Sequence, residues 1–463
     1  MASHIGIMGL GTMGSALARN IASRGYRVSV WNRSHEKVTE FISKYGDQSF
    51  YGAEHIEDFV ESLEAPRKII LLVPAGAATE DALQNVVRAL DEGDSIMDGG
   101  NAYFKDTERF QNQLKEQGII FLGCGVSGGE EGALYGPSLM PGGDRQAFAY
   151  FEEILEKISA EDFSGKACVA YMGKAGAGHY VKMVHNGIEY AEMQMLAEAY
   201  DLLRRIYKLT HEEITETFRT FDQGPLDSFL THIALDVLEK RENGAPLLDL
   251  IVDKAGQKGT GLWTSQEALT LGIPTPSITG AVFARGMSSL KDLRMESSRA
   301  MPSQELAPVA MSTDFVKDLE SALYLGRILN FVQGFELLRA ADTEYKYELN
   351  FPEIVRVWQG GCIIRAKVLK NLHEVLLQAP NESIVKSSWF QKSVQDNFQS
   401  LRRVVATAAS HGVPLFSLNA NLSYLEALRS AVLPANFIQG FRDRFGSHGF
   451  ERVDQPGNFH GQW

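Results

Sequence analysis

The chain has 463 residues, 44% hydrophobic and 22% charged, with a formal net charge of −13. That length exceeds one ordinary core and implies two or three domains. The acidic balance argues against nucleic acid or an anionic membrane as partner, and an anionic small molecule would need a local basic pocket.

Cys124, Cys168 and Cys362 lie far apart with no ligand or disulfide spacing, so they read as buried small hydrophobes of a reducing compartment. No leader pattern precedes the first strand, and no uncharged run approaches the roughly 20 residues of a membrane span. A cytoplasmic protein is expected.

Residues 5–8 predict a short buried strand, followed by Gly9, Gly11 and Gly14 in a G-x-G-x-x-G and by a helical run over 15–24. Strand, tight turn and helix in that order make a dinucleotide site. The first glycine allows the turn, the second lets backbone approach a pyrophosphate, and the third lets helix and strand pack closely. Gly9, Leu10, Gly11, Thr12, Met13 and Gly14 are assigned to the cofactor on this basis. The second strand, 27–31, ends at Asn32, Arg33 and Ser34. An NAD site usually carries an acid there; an arginine with neutral donors on either side suits a 2′-phosphate and predicts NADP.

Further strands are predicted at 68–73, 95–98 and 119–122, the last after a polar helix over 106–117. Strands alternating with helices imply a mainly parallel, doubly wound Rossmann-type sheet with ligands at the strands' carboxyl ends. Three loops would leave those ends: Pro74-Ala75-Gly76, residues 98–101 ending in Asn101, and a long glycine-rich loop over 127–143.

From residue 176 the strand signal gives way to helical periodicity, so the chain divides into an α/β domain (1–175), a large all-α domain (176–433) and a C-terminal tail (434–463). The first helix of the second domain, 176–205, carries Lys182, His185, Asn186 and Glu189 at i, i+3, i+4 and i+7, bordered by Tyr190. Those spacings share one helix face. Val181, Val184, Ile188, Met195 and Leu196 occupy other faces, so the helix should be buried on most sides. A buried lysine and glutamate are costly unless paired or used. Desolvation would make Lys182 a base able to take a hydroxyl proton while hydride leaves the same carbon, with Glu189 as acid in a later step.

A faint repeat, 200–204 against 335–339 and Glu213-Ile214 against Glu353-Ile354, suggests an internally duplicated helical unit. Lys258 in the loop 255–261, Arg285 and Arg442 are candidate phosphate clamps. His179 and His185 do not share a helix face, and no metal constellation is visible. The tail ends in Trp463, an aromatic ending that favours docking over disorder.

Taken together, IMDGGN (96–101), SGGEEGALYGPSLMPGG (127–143), GAGHYVKMVHNGIEY (176–190), AGQKGTG (255–261) and the tail from LPAN (433–436) resemble the 6-phosphogluconate dehydrogenases, from Gly9 to Trp463. The resemblance implies oxidative decarboxylation of 6-phosphogluconate to ribulose 5-phosphate and CO2 with NADP. Lys182 would take the proton of the C3 hydroxyl, the β-keto acid would lose CO2 without a metal, and Glu189 would protonate C1 of the enediol. It further implies cofactor contacts at Val73, Pro74, Ala75 and Asn101. Substrate contacts would come from Asn101, Ser127, Gly128, Gly129, His185, Asn186, Tyr190, Lys258, Thr260 and Arg285. Arg442 and His448 match tail residues that reach the other subunit of a homodimer, the middle domain serving substrate binding and dimerisation.

Three positions depart from the family's usual pattern: Pro74 and Leu262 each stand where lysine is frequent, and Ser34 where threonine is common. Two other readings are weighed beside this one. A related β-hydroxyacid dehydrogenase would share the glycine turn and lysine helix, though such relatives are shorter. A catalytically silent NADP-binding sensor or scaffold would have no reason to keep both Lys182 and Glu189.

Overall fold

The computed structural model describes residues 2–302 and 313–463. Seven strands form one sheet in the order β3-β2-β1-β4-β5-β6-β7. They are β1 Ile5–Met8, β2 Val28–Trp31, β3 Phe50–Gly52, β4 Lys68–Leu71, β5 Ser95–Asp98, β6 Ile120–Ser127 and β7 Ser138–Gly143. The first six run parallel, and β7 returns antiparallel along β6. Alternating side chains feed two cores, Ile70 facing one and its neighbours Ile69 and Leu71 the other. Strand order reverses at β1, which pairs with β2 on one side and β4 on the other. A crevice at the carboxyl ends of β1 and β4 is the consequence.

Local readings differ in four places. Helix Thr12–Ser23 begins at the glycine turn itself, so Gly14 lies inside it. The strand β3 was not anticipated, its three residues being too few for a period. Residues 127–143 are not a loop: helix Gly129–Tyr135 and the buried strand β7 occupy most of them. Glycine-rich composition hid both, although Gly128 and Gly129 do turn the chain at φ 115° and 63°. Two short ribbons also interrupt the helical part, Arg241–Glu242 with Ala245–Pro246 and Phe450–Glu451 with Asn458–Phe459.

Helix Ala177–Arg205 joins the two parts, and every residue from Ala177 to Ile188 is buried. Its first turns lie directly on β6 and β7. A Cβ on Gly178 would sit 2.5 Å from the carbonyl oxygens of Gly123 and Met140, so only glycine admits the helix this close. Farther along, Glu192 is buried against Arg327 of helix Thr313–Tyr345, whose Nε donates to it at 2.7 Å. Glu198 accepts from the amides of Ser417 and Leu418, and burial raises its carboxyl to about 7. Phe331, Phe335 and Trp358 centre the helical core.

The sequence repeat has a structural counterpart. Each copy's motif lies on a long helix, Ala177–Arg205 or Thr313–Tyr345, followed by a capped short one. Thr210 caps helix His211–Asp222 through Glu213, and Asn350 caps helix Phe351–Val357 through Glu353. Among the described residues no helix is long and apolar enough to cross a membrane.

Candidate active site

A cleft of about 500 Å³ opens over the carboxyl ends of β1 and β4, lined among others by Gly9, Gly11, Asn32, Arg33, Val73 and Pro74. Gly9 holds φ 107°, and a Cβ there would strike the Leu72 carbonyl. Gly11 is different: no atom lies within 4 Å of its would-be Cβ, so it leaves open space rather than relieving a clash. That space, beside the unpaired amides of a helix N-terminus, is the cradle a pyrophosphate requires. The amide of Leu10 is already donated to Asn32 Oδ1 at 3.0 Å, which fixes the end of β2 beneath the turn. Asn32 in turn donates to the Ser34 carbonyl at 3.1 Å. Lys37 lines the same cleft near Arg33, a second cation that the sequence reading passed over. The residues fit a dinucleotide bearing an additional phosphate. Thr12 stands exposed at the start of the first helix, Met13 packs partly into the core, and Ala75 is exposed beside Pro74.

The lysine helix is seated on β6 and β7 of the same sheet. Lys182 is 6% exposed; its Nζ donates to Asn186 Oδ1 and lies 3.3 Å from His185 Nδ1. His185 Nδ1 stands 2.9 Å from the same Asn186 oxygen, and its Nε2 stands 3.0 Å from Ser127 Oγ and from Cys362 Sγ. With Nδ1–H donating to Asn186, Nε2 is free to accept from the Ser127 hydroxyl. The Ile363 amide also donates to Ser127 Oγ, at 3.3 Å. Glu189 Oε2 lies 3.9 Å from His185 Nδ1, with 20% of the Glu189 side chain exposed.

Burial dominates the electrostatics. It lowers the affinity of Lys182 and His185 for protons and raises that of Glu189, while Lys182 and Glu189 each pull the other back toward charge. Burial thus tilts the amine, the imidazole and the carboxyl toward their neutral forms. An amine able to accept a proton and an acid able to donate one stand two helical turns apart.

A third group of residues closes the far side. The Arg285 guanidinium lies 3.4 Å from the centre of the Tyr190 ring and donates to the Gly256 carbonyl at 3.0 Å. Thr264, on helix Thr260–Thr270, donates to the Met183 carbonyl at 2.7 Å, seating that helix on the lysine helix. Lys258 is exposed on the intervening loop, Thr260 buried at its end, and Asn101 exposed after β5. The segments carrying Ser127 to Gly129, Lys182 to Tyr190, Lys258 to Thr260 and Arg285 are thus contiguous. Arg442 and His448 stand apart from them: Arg442 bonds Gln439, and His448 lies edge-on to Phe445, both within the tail.

Comparison with known proteins finds matches over nearly the whole length. A sequence model described as the NAD binding domain of 6-phosphogluconate dehydrogenase matches residues 4–173. Another, described as 6-phosphogluconate dehydrogenase, C-terminal domain, matches residues 178–463. The Bacillus subtilis (strain 168) 6-phosphogluconate dehydrogenase, NADP(+)-dependent, decarboxylating, is 46% identical over 464 residues, covering 99% of each chain. The chain belongs to the 6-phosphogluconate dehydrogenase family. The decarboxylating 6-phosphogluconate dehydrogenase of Escherichia coli (strain K12) is likewise 46% identical over 462 residues, again 99% of each chain. The solved Plasmodium falciparum 6-phosphogluconate dehydrogenase superposes with a TM-score of 0.95 at 38% identity, covering 99% of this chain and 100% of that one.

The departures from the usual 6-phosphogluconate dehydrogenase pattern fall on the rim. Pro74 lines the nucleotide cleft and offers it neither N–H nor charge; its carbonyl accepts from Thr79 Oγ1 at 3.0 Å. Ser34 keeps the hydroxyl of the common threonine and spends it on Glu36 at 2.5 Å, a bond that holds that carboxyl below its ordinary range. Leu262 is exposed, so its replacement of a lysine removes a surface charge. Sequence reasoning missed Cys362 and Ile363, which contact the His185–Ser127 network from 177 and 236 residues away. It also missed Asp98 as a brace: buried at the end of β5, it accepts from the Gly100 amide at 2.9 Å.

Proposed function

We propose that this chain oxidises and decarboxylates 6-phosphogluconate to ribulose 5-phosphate and CO2 with NADP. The observation that carries the reading is the pair of Lys182 and Glu189, tilted toward neutral base and neutral acid, on a helix seated on the sheet whose carboxyl ends form the nucleotide cleft. NADP, when bound, supplies the hydride acceptor; Gly11, Arg33 and Lys37 would hold it. Lys182 takes the C3 hydroxyl proton as the alcohol becomes a ketone. The resulting ammonium stays beside that oxygen, where it stabilises the enolate charge that develops as the carboxylate departs. Glu189 then delivers its proton to C1 of the enediol. His185 and Asn186 orient the lysine, with Ser127 behind the histidine, while burial tilts it toward the amine. Asn101, Gly128, Gly129, Tyr190 and Thr260 shape the sugar site. Lys258 and Arg285 supply the positive charge for its phosphate.

The same reading assigns residues 1–175 to the cofactor and 176–433 to substrate and dimer formation. The tail, 434–463, reaches a second copy to deliver Arg442 and His448. What supports a dimer is apolar surface: Phe437, Ile438, Phe441 and Phe445 stand exposed on the tail helix, and Phe283 and Leu293 on the helices over 276–300. The three thiols are buried and unpaired, which suits the cytoplasm.

Steady-state turnover of 6-phosphogluconate with each nicotinamide cofactor, with released CO2 trapped, tests the proposal. NADPH and CO2 in equal amounts are expected. No NADPH from 6-phosphogluconate, or faster turnover of small unphosphorylated hydroxyacids, would overturn it in favour of a β-hydroxyacid dehydrogenase.

A further inference from the structure

The C-terminal tail is built around a carboxylate where a core would normally be. Helix Ala435–Gly446 buries one residue, Asp443, which is 3% exposed. Its Oδ1 accepts from the Gly449 amide at 2.9 Å and faces His460 Nδ1 at 2.7 Å. Its Oδ2 accepts from the Gly461 amide at 2.8 Å and from Trp463 Nε1 at 2.7 Å. Four donors from the turn after the helix and from the chain's end thus meet on one side chain. An acid in the last turn of a helix opposes the helix dipole. Here the Gly461 amide, with Trp463, His460 and Gly449, more than offsets that and holds the carboxyl well below its ordinary range. Phe437, Ile438, Phe441 and Phe445 of the same helix stand exposed, and Phe445 lies edge-on to His448.

We propose that Asp443 is a positioning residue that presets the tail as a folded clip, fixing Arg442 and His448 relative to one another for delivery to the substrate phosphate. The proposal rests on the reading that the tail serves the site of a second copy. Arg442 adjoins Asp443 in the chain, and His448 lies within the turn that the Asp443–Gly449 bond closes. Loosening the hub separates the two side chains, and the site would then have to order the tail as it binds substrate.

The test is Asp443→Asn in the full-length enzyme, which keeps the shape and removes the charge. The KM for 6-phosphogluconate should rise about tenfold, equivalent to one charge-assisted hydrogen bond lost. Turnover at saturation should hold within about twofold, and NADP affinity should not change. In an Arg442→Ala, His448→Ala background the same substitution should raise KM no further. Trp463→Phe, which removes one donor and keeps the ring, should move KM the same way by less, and it serves if the first variant fails to fold. An unchanged KM, or an increase that adds in full to that of the double variant, overturns the role of Asp443. The underlying reading is tested separately by co-assembling Lys182→Ala subunits with Arg442→Ala subunits. Recovered activity supports crossing tails, and none in verified mixed dimers refutes them.

Discussion

Gly125 on β6 is the position where packing and chemistry are most tightly joined, and Gly125→Ala separates them. Its backbone is not in the left-handed region, so nothing but space requires a glycine. A methyl there would run into Lys182 Cβ, lie 2.9 Å from Lys182 Cγ and lie 3.3 Å from the Gly178 carbonyl oxygen. Ordinary contact begins near 3.4 Å, so β6 and the lysine helix must part by about 1 Å at the residue that carries the base. A misplacement of that size costs on the order of 100-fold in the chemical step. Overpacking of this kind destabilises by about 1–3 kcal/mol, which a two-domain enzyme survives. The glycine turn at β1 is remote from the change. We therefore expect kcat for 6-phosphogluconate to fall about 100-fold, with NADP affinity unchanged by titration calorimetry and Tm lowered by a few degrees. A variant with kcat within a factor of about three of the parent would refute the claim that this contact sets the position of Lys182.

Three further outcomes follow from the same structure. Gly11→Ala meets no atom within 4 Å, so Tm should stay put while the added methyl obstructs the pyrophosphate and weakens NADP by about tenfold or more; an unchanged Kd would remove that turn from the cofactor site. Arg33→Glu should weaken NADP by roughly ten- to a hundredfold and NAD far less, the worth of a charge-assisted bond to a 2′-phosphate; equal losses would mean that Arg33 does not read that phosphate. Lys182→Met should abolish turnover yet stabilise the fold. Burial lowers the proton affinity of Lys182 in the folded state, so the unfolded chain holds that proton more tightly, and the parent loses stability as pH falls from the ordinary lysine range toward the depressed value. The gain of the methionine variant, read by thermal melts, should grow over that window and then level off; a gain independent of pH would contradict a desolvated Lys182.

The parts of the site legible in the sequence are those fixed by local geometry. Lys182, His185, Asn186 and Glu189 share a face because helix pitch puts them there, and the glycine turn signals itself because Gly9 and Gly14 satisfy steric demands that any such turn imposes. Cys362 and Ile363 reach His185 and Ser127 only through tertiary folding, and no periodicity links positions so far apart. Strand β7 escaped notice for a different reason. SLMPGG is buried throughout, but glycine and proline are the residues that mark turns elsewhere. The tail's folded state was invisible as well, since a single carboxylate organises it and an apolar pattern read from sequence points only to its outer face.

Burial, more than any one contact, sets the chemistry of the lysine helix. In water an amine and a carboxyl at this spacing would exist as ammonium and carboxylate, the wrong protonation states for a base that starts the reaction and an acid that ends it. Desolvation pushes both toward neutrality, and their mutual attraction opposes it. The balance rests on how completely water is kept from the helix between Ala177 and Ile188, all of it buried. The close seat on β6 and β7, made possible by Gly125 and Gly178, is one wall of that enclosure. Helix Thr260–Thr270, hung on the Met183 carbonyl through Thr264, is another. Opening either wall would do more than shift Lys182 in space. Admitting water would move the pair back toward its ionised form, so the same displacement that misaligns the base would also favour its protonation.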